Sequence, residues 1–134
     1  MRDNKILTIV VPCFNEEEVL SETVKDLRKI LSNLVNINKV DEKSKILFVN
    51  DGSVDRTWDL ISKYTNEYVN VTGIKFSRNY GHQNALLAGM STAVSYSDMI
   101  ITIDADLQDD VQAIPKMVDK YLEGYDVVYG VRNS

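Results

Sequence analysis

The feature that most constrains this chain is a hydrophobic period that switches back and forth along it. Residues 6–11 (ILTIVV) are short, β-branched and nearly all apolar, as in a strand covered on both faces within a parallel sheet. Pro12 is expected to end that strand, because proline has no N–H to give to a ladder. From Glu16 to about Leu34 the period changes: Leu20, Val24, Leu27, Leu31 and Leu34 fall at spacings of four and three, one stripe of a helix. The pair then recurs. Residues 45–50 read as a strand and 55–67 as a helix with Trp58, Ile61 and Tyr64 on one side. A third strand is expected over 71–76 and a third helix over 82–96, where Ala85, Ala88, Gly89 and Ala93 make a small-residue surface suited to close packing on a sheet. Residues 99–103 give a fourth strand, a helix runs from 111 or 112 to 122, and 125–131 give a fifth strand. Pro115 falls early in that helix, where few N–H groups have intrahelical partners, so it is tolerated. Strand and helix alternating at this spacing predict one α/β domain over 1–134 with a mainly parallel sheet and helices layered on it. Residues 36–44 form a polar loop, and no repeat or low-complexity segment interrupts the pattern.

Composition excludes several classes. The hydrophobic share of 44% and charged share of 26% are those of an ordinary globular domain. The net charge is -5 and the 15 Lys and Arg are spread along the chain, so the basic footprint of a nucleic-acid binder is missing and no nucleic-acid partner is expected. Cys13 is the single cysteine, which rules out an intramolecular disulfide and a zinc-spaced Cys/His set and fits a reducing compartment. The charged N-terminus leads into only six apolar-rich residues before Pro12, short for a signal peptide. No run approaches the ~20 apolar residues of a membrane span. A cytoplasmic, soluble chain is the expectation.

In open parallel sheets ligands bind beyond the C-terminal ends of the strands, and three of the five ends here carry acids. The first strand runs into Pro12-Cys-Phe-Asn-Glu-Glu17, the second into Asn50-Asp-Gly-Ser53 and the fourth into Asp104-Ala-Asp106-Leu-Gln108, whereas Arg78 and Arg132 follow the third and fifth. If the chain stays extended, Asp104 and Asp106 point to one side. Two converging carboxylates suit a hard divalent ion such as Mg²⁺ or Mn²⁺, with Gln108 able to add an oxygen. The competing reading is a solvated loop in which Asp109 or Asp110 caps the next helix, and that reading is adopted for those two residues. Asp51 can accept hydrogen bonds from a nucleobase or ribose, with Gly52 permitting close approach, while Ser53 or Asp55 is expected as an N-cap. Asn15 and Glu16 suit the start of the first helix as well as they suit a ligand. His82, the only histidine, is expected to cap or pack, and its pairing with Cys13 as base and nucleophile lacks an orienting third group. The glycine-rich phosphate loops and the G-x-S-x-G elbow are absent. A bound nucleotide would therefore be held by acids and a metal.

Taken in order, VPCFNEEE, VNDGSVDRT, FSRNYGHQNALLAG, DADLQDD and YGVR resemble the nucleotide-binding half of inverting GT-A-fold glycosyltransferases of family 2. The likeness is greatest to the polyprenyl-phosphate branch of dolichol-phosphate mannosyltransferases and bactoprenol glucosyltransferases, and runs from about Ile6 to Arg132. It implies a three-layer, Rossmann-like GT-A half truncated after the fifth strand, with the acceptor part and membrane helices missing. It further implies that Pro12, Phe14 and Glu16 line the nucleoside pocket, Phe14 standing where tyrosine is commoner. Val49 and Asp51 would hold base or ribose. Asp104, Ala105 and Asp106 match the Asp-x-Asp motif, with Asp104, Asp106 and Gln108 as metal contacts and Arg132 on the donor diphosphate. No catalytic residue is singled out. The implied reaction moves a sugar from a UDP- or GDP-sugar to a polyprenyl phosphate with inversion, dependent on Mg²⁺ or Mn²⁺, at the inner face of the membrane in a full-length protein. The same resemblance places a later antiparallel strand beside the fourth, so that its absence leaves an edge open to homo-oligomer formation. Three other readings compete: a glycosyltransferase with a saccharide acceptor, a receiver-like phospho-aspartate signalling domain, and a nucleotide-binding or assembly module without chemistry.

Overall fold

In the computed structural model, which describes residues 4–106, 111–124 and 130–131, strand and helix alternate as the hydrophobic period predicts. The order is β1 (Leu7–Cys13), α1 (Leu20–Asn36), β2 (Lys45–Asn50), α2 (Thr57–Glu67), β3 (Val71–Lys75), α3 (His82–Ala93), β4 (Met99–Ile103), α4 (Ala113–Leu122) and β5 (Gly130–Val131). All paired strands are parallel, in the spatial order β3-β2-β1-β4-β5. The chain therefore steps outward from β1 to β3 and returns to lay β4 on the other side of β1. That reversal makes a crevice at the C-terminal ends of β1 and β4.

The sheet is buried on both faces. Leu7, Ile9 and Val11 of β1 join the stripe Leu20, Val24, Leu27, Leu31 and Leu34 of α1, together with Ile61 of α2 and Ile114 and Val118 of α4, in the larger core. Val10, Leu47 and Val49 face the opposite way and pack with Ala85 and Ala93 of α3. Burying one such aliphatic side chain stabilises by roughly 1.5–3 kcal/mol, so the α1 stripe alone anchors the first crossover. The third layer depends on small residues as expected: a Cβ on Gly89 would stand 2.4 Å from Val10 Cγ1 and 3.0 Å from Val49 Cγ2.

Several boundaries differ from the sequence reading. Pro12 does not end β1; it pairs in register with Val49, and the strand continues to Cys13. Odd residues of β1 turn their backbone groups to β2, where the Cys13 carbonyl accepts the Asp51 N–H at 2.8 Å, and even residues turn to β4, where the Ile6 carbonyl accepts the Met99 N–H at 3.0 Å. Pro12 is even, and the pairing of β1 with β4 stops at Val10 and Thr102, so its missing N–H interrupts no paired position. The first helix begins at Leu20, not Glu16, because residues 16–19 form a turn closed by the Glu16 carbonyl. It runs to Asn36 and is stopped by Asn38, whose φ of 61° is the left-handed conformation that asparagine tolerates. The third helix ends at Ala93. β5 pairs Gly130 and Val131 in parallel with Thr102 and Ile103, so the edge of β4 that was expected to be left open is covered there. Residues 125–129 of the expected fifth strand lie outside the described residues. Among the described residues no helix is long and apolar enough to cross a membrane.

Candidate functional site

The crevice is built by three loops fastened to one another. After β1 the chain turns at Asn15, whose φ is 53°, and reaches across to the loop after β2. The Asn15 N–H donates to Ser53 Oγ at 2.9 Å, and Asn15 Oδ1 accepts the N–H groups of Val54 at 2.9 Å and Asp55 at 3.4 Å. The Glu16 N–H donates to Thr57 Oγ1 at 2.8 Å, and the Glu17 N–H to Asp55 Oδ2 at 3.2 Å. The expected caps are thus redistributed. Asn15 serves the β2 loop and not its own helix, Ser53 serves Asn15, and Asp55 receives the Thr57 N–H at 2.9 Å at the start of α2.

Asp51 fixes the third loop. Its side chain is buried, and its two oxygens accept the Tyr80 N–H at 2.7 Å and the Gly81 N–H at 3.1 Å. Beside it Gly52 has a φ of 68°, and a Cβ there would lie 2.1 Å from the Arg78 carbonyl carbon. Only glycine allows the β3–α3 loop to seat that closely. Asp51 therefore spends both oxygens on holding the loop, leaving only their remaining lone pairs for a ligand.

On the other side of the crevice Ala105, 1% exposed, points into the core between two half-buried aspartates. Asp104 and Asp106 flank it and both line a cleft of about 450 Å³. Pro12, Phe14 and Glu16 form its wall at the end of β1, Cys13 and Asp51 line the cleft at the ends of β1 and β2, and Asn79, Gly81, His82 and Ala85 come from the β3–α3 loop and α3. Phe14 is 46% exposed, so its ring has a free face.

The cleft is electronegative. Burial, and then the charges of Asp106, Asp104 and Asp55, raise the Glu16 carboxyl above the usual carboxylate range. Burial, aided by the Glu16 charge, pushes the Cys13 thiol far up, so the thiol stays protonated and is no nucleophile. Among the described residues no three or more His, Cys, Asp or Glu side chains form a ready-made metal cage. The donor set still fits a hard cation, since carboxylates from one loop leave the other coordination positions to water and ligand phosphate.

Of the residues expected from the sequence, Pro12, Phe14, Glu16, Asp51, Asp104, Ala105 and Asp106 are brought to this one cleft. Val49 is fully buried with its side chain in the core under α3 and does not line it. Gln108 and Arg132 lie outside the described residues, as do Asp109 and Asp110. His82 neither packs nor caps. It is exposed at the start of α3, a helix without a side-chain cap, and faces the cleft. Asn79, Gly81 and His82 were missed as a group. The signal for them was Gly81, a glycine just ahead of a helix at the same rim of the sheet as the acids.

Residues 8–134 match the sequence family described as glycosyl transferase family 2. The chain belongs to that family. The family 2 chain is 54% identical over 129 residues to YkoT of Bacillus subtilis (strain 168), described as an uncharacterized glycosyltransferase, covering 96% of this chain and 38% of that protein. It is 35% identical over 131 residues to an undecaprenyl-phosphate 4-deoxy-4-formamido-L-arabinose transferase of Pectobacterium atrosepticum, covering 97% and 38%. Among solved structures, S. aureus TarS 1-349 in complex with UDP-GlcNAc has the same fold, with a TM-score of 0.62 at 18% identity over 92% of this chain and 37% of that one. The chain thus spans about 38% of the length of these relatives. Family 2 membership sets the receiver-like reading aside, in keeping with a β3 that ends in Lys75 and carries no acid at its tip.

Proposed function

We propose that this chain is the donor-binding part of an inverting, metal-dependent glycosyltransferase that moves a sugar from a nucleoside-diphosphate sugar to a polyprenyl phosphate at the cytoplasmic face of a membrane. The observation that carries the donor site is the convergence of Phe14, Asp51, Asp104 and Asp106 on one cleft at the strand-order reversal. The polyprenyl acceptor is supported by the likeness to an undecaprenyl-phosphate transferase.

In this reading Phe14 stacks on the base, and Pro12 and Glu16 close that wall. Asp51, already fixed by two loop amides, offers its remaining lone pairs to base or ribose. Val49 acts from beneath, by setting the end of β2. Asp104 and Asp106 hold Mg²⁺ or Mn²⁺, joined by Gln108, and Arg132 reaches the diphosphate. The cation supplies counter-charge to the departing nucleoside diphosphate. The acceptor phosphate, with a second pKa of about 6, is largely anionic at pH 7, so the site has only to position it and keep water out.

Calorimetric titration with UDP- and GDP-sugars, with and without Mn²⁺, tests this. Binding should require the metal and weaken at least tenfold in Asp106→Ala, about 1.4 kcal/mol. Metal-independent binding, or binding unchanged in the variant, would overturn the proposal.

A further inference from the structure

Thr23 is on the buried face of α1, 2% exposed, and belongs to none of the motifs discussed above. Its single hydroxyl hydrogen is within reach of two acceptors, the Val19 carbonyl at 3.1 Å and the nearer carbonyl of Ala105. A helical threonine can satisfy its hydroxyl by the local bond to the carbonyl four residues back. The bond across 82 residues is therefore not needed by Thr23. Its beneficiary is Ala105, whose carbonyl lies past the end of β4, where no strand partner among the described residues is paired with it.

Pro12 explains why an anchor is needed there. By the register of Val10 with Thr102, Pro12 stands level with Asp104, and as an even residue of β1 it faces β4. It has no N–H with which to continue the ladder. β4 is thus released from β1 just where the Asp-Ala-Asp turn begins, and a hydroxyl from the helix behind it holds the middle of that turn.

We infer that Thr23 is a positioning residue for the Asp104-Ala105-Asp106 turn: by holding the Ala105 carbonyl from the core side, it fixes the spacing at which the two flanking carboxylates meet a cation. The inference rests on the donor-site reading proposed above. It adds to that reading a residue that touches neither metal nor nucleotide.

Thr23→Val keeps the shape and removes the donor, and Thr23→Ser keeps the donor and loses a methyl. Mn²⁺ binding in the presence of UDP, followed by the electron paramagnetic resonance signal of free Mn²⁺, should weaken about tenfold or more in Thr23→Val, the usual scale for loss of a group that orients metal ligands. It should return to near the parent value in Thr23→Ser. Amide hydrogen exchange at Ala105 and Asp106 should speed up in Thr23→Val and not in Thr23→Ser. Should the valine variant fail to fold, Thr23→Ala takes its place with the same expectation. Equal Mn²⁺ affinity and equal exchange in Thr23→Val and the parent chain would overturn the inference, as would equal losses in the serine and valine variants. A parent chain that binds no Mn²⁺ would instead overturn the donor-site reading, and the exchange rates would then decide the anchor alone.

Discussion

At the scale of single residues, Asp55 shows how a side chain outside the cleft supports it. Burial acts to raise its carboxyl, but the hydrogen bonds accepted from the Thr57 hydroxyl and amide and from the Glu17 amide outweigh burial and hold it below the ordinary 3.8. A depressed carboxyl contributes stability that is present above its unfolded value and is lost as pH falls through the folded one. Asp55→Ala is expected to cost about 1 kcal/mol at pH 7, the usual loss for a helix-start acceptor. In paired denaturant melts the gap between parent and variant should narrow as pH drops below 3.8. A gap that stays constant with pH would mean that the carboxylate charge contributes nothing. Asp51 differs in kind, because its partners Tyr80 and Gly81 are 29 and 30 residues away and Gly81 lines the cleft.

At the scale of elements, α3 is the most exacting. It covers the face formed by Val10, Leu47 and Val49, and it does so through Ala85, Gly89 and Ala93. Gly89→Val should destabilise by roughly 1–3 kcal/mol through overpacking against Val10 and Val49, measured by urea unfolding with unchanged slope; a neutral result would mean that α3 can slide. This contact was readable in advance, since small residues at spacing four leave few other uses for that helix. The strands were readable too, because burial on both faces removes polar alternation and leaves plain apolar runs. β2 and β4 have the bounds expected of them. Helix starts were not, since what decides them here is where the N–H groups of Asn15, Glu16 and Glu17 find acceptors, and those acceptors lie 38 to 41 residues away. Hydrogen bonds of that separation leave no periodic trace in the sequence. For the same reason the acids of the site could be named from the strand ends and the anchoring Thr23 could not, while Asn79 and His82 left only the glycine at 81 as a trace.

At the scale of the whole molecule, the strand order β3-β2-β1-β4-β5 puts β1 at the centre and turns every neighbouring loop toward the crevice at its end. Position along the chain is thereby converted into nearness: residues from 12 to 106 share one cleft. The fastenings between these loops also limit how the protein can be altered. Asn15 and Glu16 are tied to Ser53, Val54, Asp55 and Thr57, and Asp51 to the segment at 80–81. A cleft-lining loop taken from another family member therefore cannot be installed alone. We predict that grafting residues 14–19 from a relative yields a chain with a lowered melting temperature and weakened UDP binding, and that grafting 14–19 and 51–57 together restores both. If the single graft behaves like the parent, the loops are independent. If the pair recovers what the single loses, the heritable unit of donor choice is a braced set of segments that must be exchanged as one cassette.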